Sequence, residues 1–145
     1  MQKSQPITTL IKQWWQDLGF FYDRDIEKQC WQFTGSKKGL ARFCTALYTY
    51  SYNPHHKNIG SHDHYGPHWY LKIMTWHEPI IEEDAIGGTV EDIFRLGQII
   101  GNTMSMYKEG DIFYVGQEYA QKSIWYLSFD IRHDGFDPSS FDSLI

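Results

Sequence analysis

The chain is short of several things, and each shortage excludes something. It has two cysteines, Cys30 and Cys44, with no CxxC pair and no zinc-knuckle spacing. They read as buried free thiols in a reducing compartment, not as a disulfide framework. It has no Lys/Arg run or basic stripe, and its formal net charge is −5. That excludes the usual electrostatic footprint of a nucleic-acid binder. No apolar run approaches the roughly 20 residues of a membrane span. The opening "MQKSQPITTLIKQWWQ" lacks the long apolar core and small-residue cleavage site of a signal peptide, so the cytoplasm is the expected location. No GxSxG elbow, P-loop, GxGxxG, kinase signature or HExxH occurs.

What the chain has in quantity is aromatic side chains and clustered histidines. Six Trp, ten Tyr and nine Phe sit in 145 residues. Some fill a core, and the amphipathic Tyr and Trp leave material for a contact surface. The length is that of one domain, and a domain of this size buries enough surface to fold without a metal or disulfide staple. No internal repeat or linker is evident.

Periodicity then places the elements. Ile7, Leu10, Ile11, Trp14, Trp15 and Leu18 form one helical stripe that ends at Gly19. A second helix is expected over about 25–33, with Ile26, Cys30 and Phe33 on one side. A third follows Ser36 as N-cap, with Leu40, Phe43, Cys44 and Leu47 inward, and stops at Asn53-Pro54. "HWYLKIMTW" changes period to a strand, with Trp69, Leu71, Ile73 and Thr75 as its core face and His68, Tyr70, Lys72, Met74 and Trp76 opposite. A short strand is expected at 85–86. Thr89 and Asp92 cap a helix whose stripe is Ile93, Leu96, Gly97, Ile100 and Met104, closed by Gly110. "DIFYV" and "SIWYLSFDIR" are strands, the second with Trp125, Leu127, Phe129 and Ile131 inward. The whole predicts one α+β domain over 1–145, with three to four amphipathic helices on a mainly antiparallel sheet.

Six of the seven histidines fall between Asn53 and His77. In "HDH", His62 and His64 lie on one side of an extended segment, and His68 could add a third metal ligand. Imidazole suits zinc, copper, nickel or iron. The surrounding residues fit neither a cupin nor a metallo-β-lactamase pattern, and hydrogen-bonded surface histidines are the simpler reading. No metal or other cofactor is therefore expected.

The passages "HDHYGPHWYLKIMTW", "GTVEDI", "EGDIFYVGQEYA" and "DGFDP" resemble small bacterial immunity proteins. These bind and neutralise the toxin domains of contact-dependent and other polymorphic toxin systems. The likeness spans residues 36–138 and fixes no individual residue's role. It implies a binding protein that occludes a cognate toxin. A toxin nuclease is commonly basic, so an acidic partner would be steered to it. Two readings from other classes stand beside it: a metal-dependent enzyme on His62, His64 and His68, and a domain that holds a small ligand between sheet and helices. Docking would use His68, Tyr70 and Trp76 on the even strand face, together with the acidic connection Glu82, Glu83 and Asp84.

Overall fold

The computed structural model describes residues 4–145. The first helix, α1 (Ser4–Leu18), runs into a hairpin of β1 (Phe21–Asp25) and β2 (Cys30–Ser36). Then follow α2 (Lys37–Tyr52), a 3-10 turn (Pro54–Lys57) and a second hairpin, β3 (His62–Tyr65) and β4 (Leu71–Thr75). The rest is β5 (Ile80–Ile81), β6 (Ile86–Gly88), α3 (Val90–Met104), β7 (Ile112–Val115), β8 (Tyr126–Arg132) and a 3-10 turn (Pro138–Phe141).

Local signals act as expected at the two inner helices. The Ser36 side chain accepts from the Gly39 N–H, and Thr89 and Asp92 form a reciprocal capping box. Leu40, Phe43, Cys44 and Leu47 are buried on α2, as are Ile93, Leu96, Gly97, Ile100 and Met104 on α3. A Cβ on Gly39 would lie 2.1 Å from the Gly19 carbonyl oxygen, so glycine there lets the corner after α1 sit on the start of α2.

Three expectations are corrected. Residues 25–33 are not helical: they are the ends and turn of the β1–β2 hairpin. Ile26, Cys30 and Phe33 mimic helical spacing, but Ile26 is exposed, Tyr22, Cys30, Trp31 and Phe33 are buried, and Gln29 turns the chain with φ at 56°. The last helix stops at Met104, short of Gly110, which instead carries a φ of 93° just before β7. The α1 stripe is real but only partly covered, since Trp15 is buried while Ile7, Leu10 and Trp14 are exposed.

The α+β class holds, and four of the six strand pairings are antiparallel. The strands divide, however, between two four-stranded sheets, ordered β1-β2-β8-β7 and β3-β4-β6-β5. Each is two hairpins joined by one parallel central pair, β2 with β8 and β4 with β6. This connectivity contains a repeat that the sequence hid. Hairpin–helix–hairpin (β1-β2-α2-β3-β4) is followed by hairpin–helix–hairpin (β5-β6-α3-β7-β8). Exchanging the two halves converts one sheet order into the other. Each sheet therefore takes one hairpin from each half, and α2 packs on α3 between them. Leu40, Phe43 and Leu47 stand at the same offsets from the Ser36 cap as Ile93, Leu96 and Ile100 from Thr89.

The core is rich in aromatic rings set among leucine and isoleucine. On the inner face of the first sheet, Phe113, Phe129, Phe33 and Phe43 stack in a row, with ring centres 4.8, 5.1 and 4.6 Å apart. Inward and outward residues alternate along β8 as expected, with Leu127, Phe129 and Ile131 buried. Among the described residues no helix is long and apolar enough to cross a membrane.

Candidate functional site

The acidic connection after β5 is the best-organised exposed feature. Glu82, Glu83 and Asp84 are all exposed, yet their backbone is pinned. The Trp31 indole donates to the Glu82 carbonyl at 2.7 Å, and the Arg24 guanidinium donates to the Glu83 carbonyl at 2.9 Å. The Glu82 N–H donates to the Ala85 carbonyl, and the Ile81 N–H donates to the Ser123 hydroxyl. Backbone groups held this way fix the loop and leave its side chains in water. No ion pair or side-chain hydrogen bond engages these three carboxylates among the described residues.

They line a groove of about 710 Å3 with Gln29, Glu78, Lys122, Ile124 and Trp125. Glu78 and Lys122 pair across 3.6 Å, which leaves the groove negative. Ile124, 76% exposed, supplies an apolar edge.

Tyr70 adjoins this acidic segment in space. The Arg24 guanidinium lies 4.9 Å from its ring centre and 5.5 Å from that of Trp31. The Tyr70 hydroxyl donates towards the Tyr22 carbonyl and Asp23. Burial, then the neighbouring charge of Asp23, raise that hydroxyl above its ordinary pKa, so it serves as a neutral donor. The result is an aromatic and guanidinium wall beside carboxylates. Sequence reasoning did not find Arg24, Trp31, Lys122 or Ile124. Only Trp31 carried a signal, as one more large aromatic on an alternating segment.

His68 is not a free docking anchor. Its Nε2–H donates to Asp142 Oδ2 at 2.7 Å, on the same oxygen that accepts the Trp15 indole N–H at 2.8 Å. Asp142 is buried, and its other oxygen accepts from the Leu144 N–H. Burial alone would push the Asp142 carboxyl up, but the hydrogen bonds from Trp15, His68 and Leu144, with the charge of His68, outweigh it and hold the pKa below the ordinary range. This side chain therefore ties the chain's last residues to α1.

Trp76 is 37% exposed and meets His77 edge-on. It sits past the end of β4 and is not among the residues that line the acidic groove. Leu71, Ile73 and Thr75 form the core face as expected, and Lys72 and Met74 are half-exposed. Trp69 departs from that expectation: it is 58% exposed and holds a φ of 64°. A left-handed non-glycine residue stores local strain.

The three-histidine set separates. His62 and His64 share one face of β3, with ring centres 5.2 Å apart, while His68 is committed to Asp142. Among the described residues no group of three or more His, Cys, Asp or Glu side chains could hold a metal. Asp63, between them, points the other way and meets the buried His56 at 3.1 Å. The His56 ring lies flat on Tyr50 and its Nδ1–H donates to the Tyr50 carbonyl. Both cysteines are buried and free.

No protein-family model matches the chain, and no curated protein or solved structure matches it.

Proposed function

We propose that this chain works by binding rather than by chemistry: it occludes a basic protein partner. The model for this is the bacterial immunity proteins that its sequence resembles. The partner would be a toxin domain, such as a nuclease, met in the cytoplasm. The observation that carries the reading is the pinned acidic groove, Glu82, Glu83 and Asp84, with Ile124 in its lining and with Arg24, bonded to the Glu83 carbonyl, holding Tyr70 beside the segment. A rigid loop with unpaired carboxylates loses little freedom on docking, and its charge steers a cationic surface towards it. The aromatic and aliphatic flanks supply the desolvated contacts that give lasting affinity. Of the six docking residues that the sequence offers, Tyr70, Glu82, Glu83 and Asp84 remain in this surface. His68 belongs to the scaffold, and Trp76 stands apart from the groove.

The test uses the product of the gene adjacent to this one as the probe. Wild-type protein should associate with it, and the double variant Glu82→Lys/Glu83→Lys should associate roughly tenfold more slowly at low salt. The difference should shrink at high salt. An unchanged association rate at low salt would remove the groove from the interface. Absence of any complex would remove the adjacent product as the partner.

A further inference from the structure

His62 and His64 each spend one ring nitrogen on a backbone carbonyl. His62 Nδ1 lies 2.9 Å from the Gly60 carbonyl oxygen, and His64 Nδ1 lies 2.6 Å from that of Trp69. A carbonyl only accepts, so each Nδ1 carries the proton, and in the neutral ring Nε2 keeps its lone pair. Neither Nε2 has a hydrogen-bond partner among the described residues. A backbone carbonyl on one ring nitrogen is the support that metal-bound histidines usually have, because it fixes the tautomer and the ring plane.

The spacing fits as well. Two imidazoles that share one ion tetrahedrally, each through a nitrogen about 2.0–2.1 Å away, have ring centres roughly 5 Å apart. The observed separation is 5.2 Å, with the rings at 89°. An ordinary edge-to-face ring contact would give a similar separation, so the chemistry of the neighbours has to decide.

The strand register supplies that chemistry. His62 pairs with Met74 and His64 with Lys72 across the antiparallel ladder, and directly opposed residues share a face with their Cβ atoms about 4.5–5.5 Å apart. Burial agrees: His62 and His64 are exposed, Lys72 and Met74 half-exposed, and Ile73 between them buried. The face therefore carries two imidazoles and one thioether, a soft donor set. The ammonium of Lys72 opposes any cation there, but it rides on a long flexible stem. Trp69, stacked on His64 at 20° and met edge-on by Trp14, walls one side. Its left-handed backbone presents the carbonyl that His64 uses.

We infer that the outer face of β3 and β4 binds a single copper(I) ion through His62, His64 and Met74. Imidazole alone would accept zinc or nickel, and the thioether is what selects copper(I). The inference is independent of the acidic groove, which lies on other segments.

The test is copper binding to tag-free protein under ascorbate, measured by competition with bicinchoninate, a coloured copper(I) chelator. Wild type should retain one equivalent. His62→Ala and His64→Ala should lose it while their circular dichroism and thermal melts stay near wild type, because both side chains are exposed. His55→Ala and His77→Ala should retain it. Met74→Leu should bind copper(I) at least tenfold more weakly while its weak zinc binding changes little. Failure of wild type to hold one equivalent, or wild-type affinity in either His62→Ala or His64→Ala, would overturn the site. Wild-type copper(I) affinity in Met74→Leu would overturn the copper(I) assignment.

Discussion

Asp142→Ala tests the anchoring of the C-terminal segment most directly. Asp142 is 7% exposed, and one of its oxygens accepts from both the Trp15 indole and His68. A hydrogen bond to a charged group contributes about 1.5–3 kcal/mol, and an orphaned buried donor costs about 1–3 kcal/mol. Trp15 is 0% exposed, so its indole N–H has no water to turn to. Removing the carboxylate also removes its own desolvation penalty, which offsets part of the loss. A net cost of about 3 kcal/mol at pH 7 follows from these terms. Near this size each kcal/mol moves the melting point by about 2–4 °C, so a drop of roughly 6–12 °C is expected. Asp142→Asn keeps an acceptor without the charge and should cost less, about 1–2 kcal/mol. The pH dependence is the sharper check. The folded pKa of Asp142 is depressed. Its contribution is therefore fully present above the unfolded value, about 3.9, and is lost as pH falls through the folded one. Urea unfolding at a series of pH values should show a gap between wild type and Asp142→Asn at pH 5 that narrows below pH 4. A gap under 1 kcal/mol for Asp142→Ala at pH 7, or one that does not narrow in acid, would refute the anchoring account.

Burial pushes the Cys44 thiol up to about 11 and also raises that of Cys30, so at pH 8 both should react slowly with a thiol reagent in native protein and quickly in denaturant. Fast native labelling of Cys44 would contradict its place inside α2. Trp76 is more than a third exposed, so Trp76→Ala should cost about 1–2 kcal/mol in urea, below the 3–5 typical of a buried tryptophan, and a loss above 3 would mean a packed role.

The sequence announces what is local. Ser36 and the Thr89/Asp92 pair cap their helices within four residues, and β8 alternates within seven, so each is readable from a short window. The same window misreads 25–33, where three apolar residues happen to keep helical spacing while the chain reverses at Gln29 into a hairpin. What no window shows is the partner of each group. His68 meets a residue 74 positions away, and Arg24 meets Glu83, 59 positions away. The buried face of β4 was legible from alternation, but whether its even face lay open to solvent was not, and Asp142 ties up His68 just before the strand. His62 and His64 were legible as a pair, because alternation fixes a shared face. The opposition of Met74 needed the register, and the two interleaved sheets needed contacts between halves of the chain.

That interleaving sets a timetable for synthesis. β2 leaves the ribosome with its outer hairpin partner β1 already made, yet its central partner begins at Tyr126, opposite Cys30. At about 5–20 residues per second the β1–β2 hairpin waits roughly 5–20 s with its inner edge open. Trp31 and Phe33, fully buried in the finished protein, have no sheet neighbour beyond β1 in that interval. An unpaired strand edge with large aromatics is what chaperones bind and what aggregates grow from. The nascent chain should thus depend on chaperone capacity until nearly its last strand emerges, whatever stability the completed fold goes on to have.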